Sequence, residues 1–345
     1  MSTKIQTSIT MSDRWYVIRR SIASFWQSRG QDSGATLTFF SVLAFAPTLL
    51  SVYSIATLIL ANNRDLVEQL TTDFIQTFVP GGYESVVRDV VNMVVGSSAG
   101  GIIGLVVAVF ISLWSSSAYV RAFSRTANEA YGVWEGRNIV RLWASMFLVT
   151  AMLVVGMVLV LAAAMLNKPI IDTLLVPVAT PLGLDGVVQF LTEKFLPVWR
   201  WVRWPVIVIL LMLIIDVMYY FTPNIRAPRF RLLSVGSTFA TAGIIVVGLL
   251  FTVYLRYLTG ISSYGALGTV IAALFALWIA NIIVVFGIIL DVESLRMRQL
   301  RRGKEAEETL DLPVRSEGGI EFLGRVQERH VGQARDIRGW GLDEK

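Results

Sequence analysis

The apolar residues of this chain come in long blocks, and no other feature narrows its fold as much. A block of about 20 residues with few charges crosses the hydrocarbon of a bilayer as a helix. Six blocks approach or exceed that length, over 35–61, 101–123, 142–166, 204–221, 234–258 and 267–290. Inside lipid no water pairs with a peptide group, so a crossing segment must satisfy its own backbone. The expected fold class is therefore an all-α integral membrane protein with about six transmembrane helices. Composition agrees: 54% of the residues are hydrophobic and 16% are charged, against about a quarter charged in soluble domains.

Three regions follow. Residues 1–34 form a cytoplasmic amphipathic N-terminal segment, 35–295 a six-helix membrane domain, and 296–345 a polar cytoplasmic C-terminal tail. The first apolar block starts near Ala35, too far in for the core of a cleavable signal peptide, so it is expected to remain as an anchor. Within 12–30, Trp15, Ile18, Ile22 and Phe25 recur at helical spacing among Arg14, Arg19 and Arg20. That pattern fits a helix lying in the membrane interface, and equally a helix packed as a cap on the bundle. Pro47 sits inside the first block and should kink its helix. The connector 62–99 carries two apolar helical stripes on either side of Pro80-Gly81-Gly82, which predicts a surface-lying or re-entrant hairpin. The connector 167–203 carries Val187, Val188, Leu191 and Phe195 on one face and predicts a second surface segment, followed by Trp199, Trp201 and Trp204 as an interfacial belt. The stretch 303–345 lacks a sustained apolar stripe and is expected to be loosely ordered.

Charge sets the orientation. The net charge of +5 comes largely from four clusters: the N-terminal segment, the link holding Arg121, Arg125, Arg137 and Arg141, the link holding Arg226, Arg229 and Arg231, and the flank from Arg296 to Lys304. With six crossings all four fall on one side, and cytoplasmic loops collect Lys and Arg. Both termini are therefore expected in the cytoplasm, and no nucleic acid is expected as a partner. With no cysteine and one histidine, His330, thiolate and His-rich metal sites are excluded. No catalytic group, metal or cofactor is expected.

Ionisable groups within a crossing helix cost about 2.5–3.5 kcal/mol on insertion scales, so each needs an explanation. Asp216 is the clearest case, with Tyr219 and Tyr220 at i+3 and i+4 as candidate hydrogen-bond donors. It reads either as a proton, cation or substrate contact or as a structural hydrogen bond. Trp114, Ser117 and Arg121 share one face at the end of the second block, where small hydroxyls also serve close packing. Asn281 lies well inside the sixth block and wants partners on other helices. Asp291 and Glu293, beside Arg296 and Arg298, read as interfacial ion pairs. Asp216, Tyr219, Tyr220, Trp114, Ser117, Arg121 and Asn281 are the candidate polar-pathway or substrate contacts.

Several short motifs, taken in order, resemble the YihY/virulence factor BrkB family of bacterial inner-membrane proteins over roughly residues 20–300. They are the small-and-aromatic stretch ending at Pro47; Asn128, Tyr131, Glu135 and Arg137 as Asn-x-x-Tyr…Glu-x-Arg; Pro223-Asn224; Gly236; Tyr264, Gly265 and Gly268; and Trp278 and Gly287. One departure stands out. Where the family commonly reads Gly-Ala-Glu-Leu-Asn, this chain has Gly287-Ile288-Ile289-Leu290-Asp291, with Ile289 at the glutamate's position.

The resemblance implies a multi-pass protein of the bacterial inner membrane. Some members were once labelled ribonuclease BN, and no acidic metal cluster or His pair here supports a nuclease. The leading expectation is a transporter or flippase for a lipid-linked or small solute. The alternative is a non-transporting accessory or scaffold protein of envelope biogenesis. The expected partners are the lipid bilayer, a lipid or small-solute substrate and, as a homo-oligomer, further copies of the chain.

Overall fold

Long apolar runs with little β-branched alternation fold as helices, and the regular elements among the described residues are helical. The computed structural model describes residues 10–59, 72, 101–168, 171–180, 183–226, 230, 232–257 and 265–343. The expected hairpin over 62–99 and Tyr264 fall outside them, apart from residue 72.

In chain order the helices are α1 (Met11–Gln27), α2 (Gly30–Ile59), α3 (Gly101–Tyr131), α4 (Ile139–Met165), α5 (Val176–Ala179), α6 (Asp185–Gln189), α7 (Leu196–Phe221), α8 (Val235–Tyr257), α9 (Gly265–Arg301) and α10 (Gly318–Asp343). Four stretches are long and apolar enough to cross a membrane: Ile139–Met165, Asp185–Phe221, Val235–Tyr257 and Gly268–Arg301. α2 and α3 occupy the other two predicted blocks. α2 continues through Pro47 to Ile59.

The segment before the fourth block differs from expectation. Val187, Val188, Leu191 and Phe195 do not lie on a separate surface helix. A π-helical turn, Phe190–Phe195, joins α6 to α7 and makes one helical stretch of 37 residues from Asp185 to Phe221. Extending an existing helix costs far less than nucleating a new one. The wider turn takes up the register change at that join.

α9 forms the centre. Its 37 residues rise about 55 Å at 1.5 Å each, well beyond a hydrocarbon layer of about 30 Å. Along its inner half Val284, Val285, Ile288 and Ile289 pack with Leu37 of α2, Phe123 and Ala127 of α3, Ile215 and Met218 of α7, and Ala240 of α8. The family's glutamate position thus holds an apolar side chain, Ile289, 3% exposed in the core. Outward faces are apolar as well: Phe39, Phe110, Leu249 and Leu250 are all exposed.

Between lipid-facing helices tight packing replaces the hydrophobic drive. α8 and α9 cross at Gly236 and Gly287, where a Cβ on Gly236 would overlap the Gly287 carbonyl oxygen, and a Cβ on Gly287 would press on the Tyr219 hydroxyl.

The projecting end of α9 holds α1. Val17 packs on Leu290 and Met297. Buried Glu293 accepts from Arg20 Nε and Arg296 Nε, both at 3.0 Å, and from Ser24 Oγ at 3.0 Å. Thr10 and Asp13 close a capping box at the start of α1, and Arg301 Nη2 donates to Asp13 Oδ2 at 2.6 Å. α1 therefore packs as a cap on the bundle. A second stripe, Trp15, Ile18, Ile22 and Trp26, stays exposed on it, as an interfacial helix requires.

Beyond α9 the described residues run into a bonded strap and then α10, where the polar composition predicts a loose tail. A strap over 303–316 crosses the same end of the bundle. Arg296 Nη1 donates to the Ala306 carbonyl at 2.8 Å, Arg20 Nη2 to the Glu307 carbonyl at 2.6 Å, and Gln299 Nε2 to the Asp311 carbonyl at 2.9 Å. The strap lacked an apolar stripe to announce it because side chains of α1 and α9 hold it through its carbonyls.

Two predictions follow from this packing. Gly236→Ala should destabilise the purified protein by about 1–3 kcal/mol, the usual cost of overpacking, read as a fall in thermal midpoint. Gly248→Ala, where an added Cβ meets nothing within 4 Å, should leave the midpoint unchanged or raise it. The second concerns acid. Backbone and side-chain bonds from Thr10 and Arg301 lower Asp13 from its ordinary 3.8 to about 2. A depressed carboxyl contributes stability above its ordinary value and loses it as pH falls through the depressed one. Hydrogen exchange across Met11–Gln27 should therefore quicken as pH falls from about 4 toward 2, relative to the core of α9 and after correction for intrinsic rates. In Asp13→Asn that pH-dependent step should vanish.

Candidate functional site

Asp216 sits in the last turns of α7, and its side chain reaches the loop that leads into α8. It is 3% exposed. Its Oδ2 accepts the Leu233 amide at 2.9 Å. Leu233 has φ +64°, a left-handed turn conformation, and the bond to Asp216 helps hold it there. Asp216 joins no ion pair among the described residues.

Beside it Ser234 opens α8. Its Oγ accepts the Ser237 amide at 3.0 Å, the usual work of an N-cap serine. Asp291 reaches the same helix start from α9, accepting from Ser234 Oγ at 2.6 Å and the Gly236 amide at 2.8 Å. Negative charge there is favoured by the positive end of the helix dipole. The glycine crossing lets α9 come near enough for that contact. Asp216 and Asp291 thus converge on the entrance of α8 from two helices.

Tyr219 and Tyr220 do not supply Asp216 with hydrogen bonds. Tyr219 Oη donates across the bundle to the Val284 carbonyl at 2.5 Å, and its ring stacks on Phe123 with centroids 5.7 Å apart. Tyr220 turns to Phe230, with ring centroids 5.2 Å apart. Both lie on α7 near Asp216 with other jobs.

Asn281 ties three helices together. Its Oδ1 accepts from Tyr119 Oη at 3.1 Å, while Nδ2 faces Thr38 Oγ1 and Ser41 Oγ at 3.3 Å each and the Leu277 carbonyl at 2.9 Å. Ser117 Oγ donates to the Trp114 carbonyl at 2.6 Å and accepts from Arg121. The Arg121 guanidinium lies over the Trp143 ring, 4.4 Å from its centroid. Trp114 is 41% exposed. The seven candidates therefore fall into three places: the α7–α8–α9 junction, the Asn281 node and the α3–α4 surface.

The motif residues of the α3–α4 link form a fourth cluster. Asn128 Oδ1 accepts the Asn224 amide at 2.7 Å, and Asn128 Nδ2 donates to Glu135 Oε2 at 2.9 Å. Buried Arg137 grips Glu135 at 2.7 Å, and its Nη2 also donates to the Thr222 carbonyl at 2.7 Å and to Ser124 Oγ at 3.1 Å. Burial pushes the Glu135 carboxyl up, but the bonds from Arg137 and Asn128 outweigh it and hold it below its ordinary value. Asn224 Nδ2 donates to the Trp134 and Ser316 carbonyls at 3.1 and 3.0 Å. Arg315 donates to the Tyr220, Phe221 and Ile225 carbonyls at the end of α7. The strap thus ends in a knot of motif side chains. Tyr131, half-buried at the end of α3, packs against the core. Gly265 and Gly268 lie in the first turn of α9, and the Gly268 carbonyl faces Tyr254 Oη at 3.4 Å.

Sequence reasoning missed Ser234, Ser124, Thr222, Trp143, Arg315 and Ser316 as members of these clusters. Ser-x-x-Ser before an apolar block was a legible capping signal at Ser234. Arg315 and Ser316 lie in a polar stretch without periodicity and gave none.

A helical assembly with four membrane-length apolar stretches and a polar network tying its helix ends defines an all-α membrane protein. The chain matches the family described as virulence factor BrkB over residues 21–310, and it belongs to that family. It is 27% identical over 263 residues to a protein of Bacillus subtilis (strain 168) named "Putative ribonuclease-like protein YfkH", a stretch covering 75% of this chain and 87% of that one. No solved structure matches it. The matched region includes the strap as far as 310 and leaves α10 outside.

Breaking the knot should release the strap. Arg137→Ala leaves Glu135 without its cation and should cost about 3 kcal/mol. Limited proteolysis should then cut near 303–316 faster than in the unmodified protein, with α10 lost first.

Proposed function

We propose that this BrkB-family protein crosses the bacterial inner membrane six times, with both termini in the cytoplasm, and carries a lipid-linked or small solute across it as a transporter or flippase. The observation that carries this reading is Asp216: a carboxyl on a membrane-length helix, almost wholly buried and in no ion pair among the described residues. Carboxyls inside membrane helices are costly, and those that are kept mark proton, ion and substrate paths. Its bonded amide belongs to a turn, so a change of protonation or ligand at Asp216 would be felt at the entrance of α8. The four basic clusters support the orientation. The loops after α3 and α7, α1 and the strap meet at one end of the bundle.

A second reading, a non-transporting scaffold of envelope assembly, has its own support. Asn281, Ser117 and Tyr219 are all bonded within the protein, as packing residues would be. The ribonuclease-like name of the Bacillus relative finds little chemistry here, with one histidine and no cysteine. Nuclease activity is outside this proposal, and purified protein is expected to leave RNA intact.

Flux decides between the two. Proteoliposomes holding the protein should move a fluorescent or spin-labelled lipid or small anion faster than empty vesicles. Asp216→Asn should lower that rate at least about tenfold. Equal flux in the variant would remove Asp216 from the path, and wild-type flux no faster than empty vesicles across a lipid panel would favour the scaffold. Reporter fusions should place both ends in the cytoplasm.

A further inference from the structure

Arg121 and Arg125 stand one helical turn apart on α3. Two arginines at that spacing repel each other. Neither joins an ion pair among the described residues. Arg121 does not hang free. It donates to Ser117 Oγ and stacks on Trp143, whose ring centroid lies 4.8 Å from that of Trp114. Arg125 is exposed, with its guanidinium 6.0 Å from the Phe40 ring centroid. Arg141, also exposed, lies in the first turn of α4, two residues before Trp143.

Residues 101–120 contain no charged side chain and rise about 30 Å, the thickness of the hydrocarbon layer. Arg121 is the first charge after them, and Arg125 lies about 6 Å further along the axis. Headgroups add roughly 5–7 Å on each side of the hydrocarbon. The two guanidinium groups therefore span the layer that holds lipid phosphates, with Trp143 against Arg121 and Trp114 about 10 Å deeper along α3, at the level of the upper acyl chains. A guanidinium fixed by a stacked ring and a hydroxyl loses little freedom on binding, and its planar fork matches two phosphate oxygens.

We infer that Arg121 and Arg125 hold the phosphate of an anionic phospholipid on the α3–α4 surface, with Trp143 and Trp114 beside its glycerol and upper acyl chains. The site rests on α3 crossing the bilayer, as proposed above, and does not depend on transport.

The test uses full-length protein, delipidated in neutral detergent and titrated with phosphatidylglycerol or phosphatidylethanolamine, with bound lipid counted by native mass spectrometry. Phosphatidylglycerol should bind preferentially. Arg121→Gln/Arg125→Gln should bind it about thirtyfold more weakly, while Arg325→Gln/Arg329→Gln on α10 should bind it as the unmodified protein does. Inorganic phosphate at millimolar concentration should not displace the lipid. Unchanged phosphatidylglycerol binding in the double variant, or no preference over phosphatidylethanolamine, would overturn the site. Displacement by inorganic phosphate would reassign it to a free anion and overturn the lipid assignment. Where the double variant elutes as aggregate, Arg125→Gln alone should weaken binding about fivefold, and full affinity there would overturn the site. Introduced-cysteine labelling that puts both ends of α3 on one side would instead overturn the crossing.

Discussion

Lipid gives a helix bundle neither hydrogen-bond partners nor a gain from hiding apolar side chains. Helices in it must be held by close backbone approach and by polar groups that find each other. α9 meets both demands along its length. Its glycine at 287 lets α8 touch its main chain, its Asn281 engages α2 and α3, and its Asp291 caps α8. Its projecting turns fix α1 and the strap through Glu293, Arg296 and Arg301. α1, α2, α3 and α8 all pack against that helix.

The polar groups divide by depth and by task. At the end where α1 meets α9, Glu293 and Arg137 are buried in ion pairs, and each also takes a further bond from or to a hydroxyl or carbonyl. This is how a buried charge remains tolerable. Mid-bundle, Asn281 and Tyr119 form neutral bonds. Asp216 belongs to neither group. It is a buried carboxyl answered by a turn amide, which is why function is sought there rather than in the knot.

The apolar core at Ile288 and Ile289 changes what the family pattern suggests. Where the resemblance implies a glutamate, this chain seals the centre with branched aliphatic side chains. Asp291 is two residues, and about 3 Å of rise, further toward the helix end, and it is engaged with the start of α8. The carboxyl in this part of α9 therefore lies nearer the basic end of the bundle than the family's common pattern would put it.

The sequence by itself determined that the chain is helical and belongs to a membrane, because apolar length is local information and lipid permits few solutions. It also marked Asp216 and Asn281, since polar residues inside apolar blocks stand out without a structure, and it marked Gly236 and Gly287 only through the family pattern. It marked Asn128, Glu135, Arg137 and Asn224 only as fragments of a pattern. Tertiary structure decided what these residues touch. Asn224 meets Asn128 across 96 positions of chain, Asp291 meets Gly236 across 55, and Arg20 meets Glu307 across 287. Such pairings depend on how helices cross, and no periodicity encodes that. The continuity of helix from Asp185 to Phe221 and the order of the strap were hidden for a related reason. The first rests on a single wide turn. The second rests on bonds from Arg20, Arg296 and Gln299 to strap carbonyls, and every residue type offers a carbonyl alike.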